Sequence, residues 1–337
     1  MLPSGTGTVK SKTLRMLEEN RGLSVSGEKL AEAAGVSRTA IWKAVESLRK
    51  EGYDITASTN RGYTLAVGSD LLSAQGMLRF LNEKVYPYGE KYIHTYKILE
   101  STNKTAKIKA LEGAPSGTVV LAEGQTLGRG RLGRWFFSPK GQGLYMSLVI
   151  RPDFDTGKSL LLTTAASVAV CRAIKKVCGA ETQIKWVNDI FYEGRKICGI
   201  LTEAISNFEN GRIDAVIIGI GINCSIKKED MPEELRGTAG SLSGNISRNR
   251  LAAVIVNELM GIISDFYEER LHPMHMDEYR RRSMVLRKDV TVFKNASPEE
   301  PKKATAIDIS DEGGLIVIYE DGRKEALTTG EISIRLR

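Results

Sequence analysis

Residues 128–134 read GRGRLGR, and the segments on either side of them restrict the fold more than any other stretch. Gly128, Gly130 and Gly133 satisfy G-x-G-x-x-G, a dinucleotide fingerprint that requires a strand before it and a helix opening directly from it. The upstream TVVLAEGQT is apolar and β-branched enough for the strand. Downstream comes WFFSPKGQGLYMSLVIRP, an aromatic run with a proline and two more glycines leading into another strand-like alternation. No helix opens there, so the dinucleotide fold is excluded and a loop between strands remains. Its glycines reach positive φ and let backbone approach a ligand closely. Arg129, Arg131 and Arg134 add planar, permanently charged forks suited to carboxylate or phosphate. Three cations this close repel one another unless an anion or nearby acids sit among them. A solvated basic loop or a nucleic-acid patch is the competing reading.

A chain of 337 residues has room for two or three domains with their own cores. The net charge of +7 fits nucleic acid or anionic small molecules and proves neither. Cys171, Cys178, Cys198 and Cys224 form no C-x-x-C pair, which argues against a disulfide framework or a metal site and for a reducing cytoplasm. The three histidines show no metal-ligand spacing. MLPSGTGTVK lacks a signal-peptide layout. The longest apolar stretch, LLLTTAASVAVCRAI, is broken by threonines and too short for a membrane span. A soluble cytoplasmic protein with no membrane partner is expected. Pattern changes suggest three regions: 1–67, helical then hairpin-like; 68–284, mixed strands and helices; and 285–337, short strands with turn signals at KNASPEEPKK, SDEGG and YEDGR.

In the first region, GEKLAEAAGVSRTAIWKAVESLRKEGYDI reads as a helix, a turn at Gly35 and a second helix capped by Ser37. Ile41, Val45 and Leu48 mark its buried face. Thr39, Lys43, Glu46 and Lys50 lie opposite, with Arg38 and Trp42 on the flanks, and Trp42 is read as a packing residue. YDITASTNRGYTL then gives two short strands around a polar turn at Arg61. This is a winged helix-turn-helix, with Ser37, Arg38, Thr39, Lys43 and the wing residue Arg61 as DNA contacts. A helical protein-interaction module is the alternative, and charge does not decide: ten basic residues stand against seven acidic ones.

Chemistry concentrates in the second region. ESTN at 100–103 lies at a strand-to-helix junction, where Ser101, Thr102 and Asn103 either cap the helix or face a ligand. QIKWVNDIFYEGRKICGILTE reads as two strands joined at Glu193-Gly194, with Lys185 in surroundings too apolar for an ordinary solvent-facing lysine. Asp189 or a bound anion is its candidate partner. DAVIIGIGINCS is an apolar strand whose Gly219 and Gly221 either admit a ligand or bend the sheet. No nucleophile with a partner base stands out. Fixed cations, glycines and amide or hydroxyl donors suit activation of a carboxylate by a nucleotide, where charge stabilisation dominates.

ESTN, GQTLGRGRLGRWFFSPKGQGLYMSLVIRP, KWVNDIFYEGRKICGILTE and GIGIN occur in this order. Together they resemble the biotin protein ligases fused to an N-terminal winged helix, the bifunctional biotin operon repressors, over essentially the whole chain. The resemblance implies an α+β fold: a winged helix, a mixed sheet with helices similar to class II aminoacyl-tRNA synthetases, and a small SH3-like C-terminal β-barrel. It implies that biotin and ATP give biotinyl-5′-AMP, with Mg2+ accompanying ATP, and that a lysine of a biotin carboxyl carrier domain then takes the biotin. It also implies that the adenylate-loaded protein dimerises and represses biotin genes at operator DNA. Ser101, Thr102 and Gln125 would bind the ureido ring, with Asn103 beside it. Arg129, Gly130 and Arg131 would close over biotin and phosphate, with Arg134 on phosphate and Trp135 over the adenine or anhydride. Lys185 would bridge the carboxylate and α-phosphate, Asn223 and Arg236 would serve the nucleotide, and Asp189 would lie near the incoming lysine. The resemblance assigns no protein-held metal site. The glycine hinges predict a loop 128–134 that is disordered when empty and orders with adenylate, and LYMSLVIRP, following that loop, is a candidate strand for pairing across a dimer edge. Val187 stands where the family usually has proline, which frees φ, restores an N–H and loosens the strand end. A lipoate ligase and a non-catalytic anion-binding regulator are the rival readings.

Overall fold

The computed structural model describes residues 7–152, 159–206, 213–267, 274–294, 300–328 and 332–336. Part of the turn expected at KNASPEEPKK lies outside them. Helices α1 (Val9–Glu19), α2 (Gly27–Ala34) and α3 (Arg38–Glu51) precede a hairpin of β1 (Ile55–Ser58) and β2 (Gly62–Leu65). Each helix begins where a hydroxyl oxygen accepts a first-turn N–H: Thr8 from Ser11, Ser26 from Lys29 and Ser37 from Ala40. Left-handed Gly35 and Gly52 end α2 and α3. Ile41, Val45 and Leu48 are buried in one cluster with Leu14, Leu17 and Leu30, as their spacing predicts. Trp42 does not join them. Its side chain is 53% exposed, because one residue turns the helix by about 100° and carries the indole off the buried stripe.

The central domain contains α4 (Ala74–Leu78), β3 (Ile93–Tyr96), α5 (Thr102–Leu111), β4 (Val119–Ala122), β5 (Gly143–Ile150) and α6 (Ser159–Cys178). It continues with β6 (Gln183–Lys185), β7 (Asp189–Tyr192), β8 (Arg195–Ser206), β9 (Ile213–Asn223), α7 (Arg248–Tyr267) and α8 (His275–Arg282). Its strands form one sheet in the order β3-β4-β5-β9-β8-β7-β6, parallel between β3 and β4 and antiparallel elsewhere. The expectation that LYMSLVIRP forms a dimer edge is corrected here. β5 is bonded on both sides, to β4 and β9, and every residue of it is buried. An unbroken apolar run is what a strand covered on both faces requires; β3 and β6 are the edges. One face of the sheet carries α6, α7 and α8 over the main core. On the other, Ala106 and Ala110 of α5 pack on Val120, Val149, Ala215 and Ile217.

The last domain is a five-stranded antiparallel sheet of β10 (Lys288–Lys294), β11 (Lys302–Ile309), β12 (Leu315–Tyr319), β13 (Lys324–Leu327) and β14 (Ile332–Leu336), in the order β13-β12-β11-β10-β14. Its buried residues, such as Val290, Ala306 and Leu327, join the main core of the central domain. At the other end the buried guanidinium of Arg248 grips the segment after the wing. It bonds the Asp70 carboxylate (2.8 Å) and carbonyl (2.5 Å), Glu123 (2.9 Å) and the Gly143 carbonyl (3.2 Å). Among the described residues no helix is long and apolar enough to cross a membrane.

His275 on α8 is buried with its Nε2 2.9 Å from Thr164 Oγ1 on α6. Burial, helped by Arg172, pushes its pKa down from 6.5 to about 4. Above about pH 6.5 both folded and unfolded chains hold a neutral ring; as pH falls, the unfolded chain binds the proton first. Stability present above pH 6.5 is therefore lost as pH falls towards 4, by up to about 3 kcal/mol. His275→Gln should flatten this part of a pH series of urea midpoints; an unchanged slope would assign the acid sensitivity to other groups.

Candidate active site

The strand register lines up the site. Along one rung Tyr145 (β5) faces Gly221 (β9), Gly221 faces Gly199 (β8), Gly199 faces Asp189 (β7), and Asp189 faces Lys185 (β6). Direct cross-strand partners share a face, and this is the face α5 covers. Two glycines leave the middle of the rung bare. The ring of Phe136 fills that space: a Cβ at Gly221 would come within 2.6 Å of it. Gly219, on the next rung of the same face, leaves room for Asn103, and a Cβ there would overlap the Asn103 amide. Both glycines thus make room for side chains of the protein itself, Phe136 and Asn103. Over this floor lies a cavity of about 630 Å³.

The cavity brings together Ser101, Thr102, Asn103, Gln125, Arg129, Gly130, Arg131, Arg134, Trp135, Lys185 and Asn223. Arg236 is not among its lining residues; its guanidinium donates to the carbonyls of Met231 (2.9 Å) and Glu229 (3.0 Å). Ser101 occupies the N-cap position of α5, yet its hydroxyl makes no capping bond. The N–H of Thr102 is satisfied instead by Gln125 Oε1 at 2.8 Å, so this helix start is built into the cavity rather than closed on itself. The loop is a short hairpin: Gly130 N–H bonds the Arg134 carbonyl (2.7 Å), and Phe136 N–H bonds Gly128 (2.9 Å). Arg131 reaches Asn188 Oδ1 at 3.0 Å. Burial lowers the Arg131 pKa from its ordinary value, opposed by the charge of Asp189. Trp135 is exposed, its ring 5.6 Å from that of Phe137.

QIKWVNDIFY does not run as a single strand. It breaks at Trp186–Asn188, so Lys185 and Asp189 become cross-strand partners. This turn is tied on three sides. Trp186 Nε1 donates to the Gly313 carbonyl (3.0 Å), Tyr279 Oη to the Val187 carbonyl (2.9 Å), and Asn188 Nδ2 to Ile200 (2.6 Å). The Trp186–Val187 peptide is cis. Sequence reasoning missed Lys196. It lines the cavity, lies beside Gly199 on the floor, and pairs with Asp189 at 2.6 Å. Its signal is slight, since an Arg-Lys pair after a tight Glu-Gly turn reads as solvent-facing. On the winged helix Ser37, Arg38, Thr39, Lys43 and Arg61 are all exposed, although the Ser37 oxygen is engaged as the cap of α3. Among the described residues no three His, Cys, Asp or Glu side chains stand together as a metal cluster.

A helix-turn-helix with a wing, joined to a mixed sheet whose bare floor lies under an arginine loop, defines a DNA-binding domain fused to an anion-activating enzyme domain. Residues 95–223 match the biotin/lipoate A/B protein ligase family, 10–64 an HTH domain, and 295–335 the biotin protein ligase C-terminal domain. The chain is 42% identical over 236 residues to the bifunctional ligase/repressor BirA of Bacillus subtilis, covering 70% of this chain and 71% of that protein. It is 28% identical to BirA of Escherichia coli over 92% of each. The fold also matches the biotin protein ligase from Aquifex aeolicus in complex with biotin and ATP, with TM-score 0.62 and 24% identity, over 73% of this chain and 99% of that one. The chain belongs to the biotin protein ligases, in the bifunctional group that carries an N-terminal helix-turn-helix domain.

Because β9 is hemmed in by β5 and β8, Gly219→Ala cannot be relieved by moving the strand; the Asn103 end of α5 must shift instead. We expect folded protein with biotin affinity reduced by at least about tenfold, measured by calorimetry. Wild-type affinity would mean that Asn103 has slack the packing does not show.

Proposed function

We propose that the cavity activates biotin with ATP and then hands it to a carrier-domain lysine, and that the winged helix represses biotin genes when the adenylate is bound. The observation that carries this reading is the convergence of Arg131, Lys185 and Lys196 over a floor bared by Gly199 and Gly221. In the first step a carboxylate oxygen of biotin attacks the α-phosphorus of ATP, and the bond to pyrophosphate breaks. Anion meets anion, so cations must be in place before the atoms approach. We move the bridging role from Lys185 to Lys196: Lys196 lies over the middle of the floor, whereas Lys185 stands on an edge strand two places further out. Lys185 then faces the nucleotide phosphates.

Ser101, Thr102 and Gln125 take the ureido ring, with Asn103 behind them. Arg129, Gly130, Arg131 and Arg134 close over biotin and phosphate, Trp135 covers the adenine or anhydride, and Asn223 contacts the nucleotide, with Arg236 flanking it. Mg2+ would accompany the triphosphate and help neutralise its charge, with few protein ligands. In the second step the lysine nitrogen attacks the acyl carbon, the bond to AMP breaks, and the nitrogen loses a proton. Asp189, held by Lys196, sits beside the incoming amine. Glycine hinges let the loop swing, and closure shields the anhydride from water; protease cleavage within 128–134 should fall when biotin and ATP are added. We take 1–67, 68–284 and 285–337 as the DNA-binding, catalytic and C-terminal units of a cytoplasmic protein that dimerises when loaded.

Biotin-dependent exchange between pyrophosphate and ATP tests the reaction, and lipoate in place of biotin tests the rival substrate. Lys196→Met should cut exchange by about a hundredfold or more, and Lys185→Met by less. The reverse order would return the bridging role to Lys185. DNA binding calls for a separate measurement: Arg38→Ala with Lys43→Ala should weaken binding of the adenylate-loaded protein to duplex DNA without changing exchange.

A further inference from the structure

Asn103 lines the cavity, yet both polar atoms of its amide are engaged inside the protein. Nδ2 donates to Glu203 Oε2 at 2.6 Å and to the Leu201 carbonyl at 3.2 Å, and Oδ1 accepts from Ser147 Oγ at 2.6 Å. Glu203 is on β8, facing Ile217 across the ladder, and does not line the cavity. From behind Asn103 it nevertheless dictates how the hydroxyls in front must point.

A carboxylate and a carbonyl can only accept hydrogen bonds. Glu203 and Leu201 therefore fix which end of the Asn103 amide is nitrogen, and Oδ1 must face Ser147. A serine hydroxyl has one hydrogen, and Oδ1, an acceptor at 2.6 Å, takes it. Ser147 then has only lone pairs for Thr102 Oγ1, 2.9 Å away. The Thr102 hydrogen points back into the protein, to Ser147 or to Gln125 Oε1 at 3.2 Å, and a lone pair of Thr102 is left for the cavity. Gln125 is fixed in the same way. Its Oε1 accepts the Thr102 N–H, and its Nε2 donates to Ser138 Oγ at 3.0 Å, whose own hydrogen goes to the Phe136 carbonyl. One Nε2 hydrogen of Gln125 remains for a ligand.

We propose that Glu203 is a positioning residue that sets the donor–acceptor polarity of the biotin-binding end through Asn103 and Ser147. The cavity thereby offers an acceptor at Thr102, beside the donor that the Thr102 N–H and Ser138 fix at Gln125, and takes the N–H and C=O edge of a cyclic urea. This rests on the biotin reading of the cavity and adds a residue that touches no ligand. It also explains why Gly219 is bare: the amide that carries the relay occupies the space its side chain would fill.

The test is a charge swap in the full-length chain, read as KM for biotin and kcat in pyrophosphate exchange. Asn103→Asp puts two carboxylates together and should raise KM by about a hundredfold with little change in kcat. Glu203→Gln, whose amide can still turn its oxygen to Asn103, should raise KM by only about threefold. In the double variant, Asn103→Asp with Glu203→Gln, the new amide on β8 can donate to the new carboxylate on α5. That carboxylate can still accept from Ser147, so the polarity is restored and KM should return to within about fivefold of wild type. A double variant no better than Asn103→Asp alone overturns the proposal. If Asn103→Asp does not fold, a second cycle decides. Thr102→Val removes the end of the relay, so Glu203→Gln should add nothing to it, and additive losses overturn the proposal. A wild-type chain without biotin-dependent exchange is a different result: it defeats the biotin reading itself, and with it the ligand this relay serves.

Discussion

A β-sheet normally fills the space above itself with its own side chains, and at its centre this one leaves that space to side chains from neighbouring segments. Gly199, Gly219 and Gly221 bare the floor on adjacent strands in the middle of the sheet. Everything else at the site follows from that bareness. Phe136, just downstream of the arginine loop, can set its ring against Gly199 and Gly221. Asn103 can reach across to β8 and tie the start of α5 to it. Lys196 can lie along the floor instead of standing off it, which brings its ammonium to Asp189. Interior glycine weakens a strand by removing side-chain packing, and the cost is offset here because both neighbours of β9 are long and continuously paired.

The two ends of the cavity differ in kind. At the helix end the groups are neutral, and they are hydrogen-bonded to one another and to the protein behind them. At the loop end they are charged: Arg129, Arg131 and Arg134 on a hairpin loop, Lys185 on an edge strand and Lys196 on β8. That division suits a site with two tasks. Recognition of a neutral ring needs fixed donors and acceptors, since a mismatched polar group is left unpaired. Bringing two anions together needs cations that can follow charge as it moves.

Much of this is legible in the chain. The caps at Ser26 and Ser37, the glycine stops and the Ile41-Val45-Leu48 stripe are local signals, and the winged helix follows from them. The loop is legible because three arginines among three glycines have few bland explanations. Other features depend on pairing, which a single sequence does not display. LYMSLVIRP reads as an available edge, although eight consecutive buried residues mark a central strand. Trp42 reads as core by residue type, and only helix phase sends it outward. Lys196 and Glu203 escape notice because β8 sits half-buried with an alternating pattern, and which of its polar residues meets the ligand face depends on its register with β9.

Register also decides how the three units act on one another. Glu123 directly follows β4 on the way to Gln125, and its carboxylate accepts from both the Leu72 N–H and the Arg248 guanidinium, while Arg248 holds Asp70. Asn249 adds bonds to Leu71 and Ser73. The segment leaving the wing is therefore pinned to the segment that carries the cavity-lining amide of Gln125. At the opposite edge of the sheet the Gly313 carbonyl, from the C-terminal sheet, takes the Trp186 indole N–H one residue from Lys185. Both flanking domains thus attach at the ends of strands that bear site residues. A shift of either strand end on ligand binding has to be shared with the domain bonded to it, because a buried arginine between two carboxylates and a buried indole N–H are costly to leave unpaired. Both flanking domains are thus joined to the central sheet through buried and half-buried polar bonds.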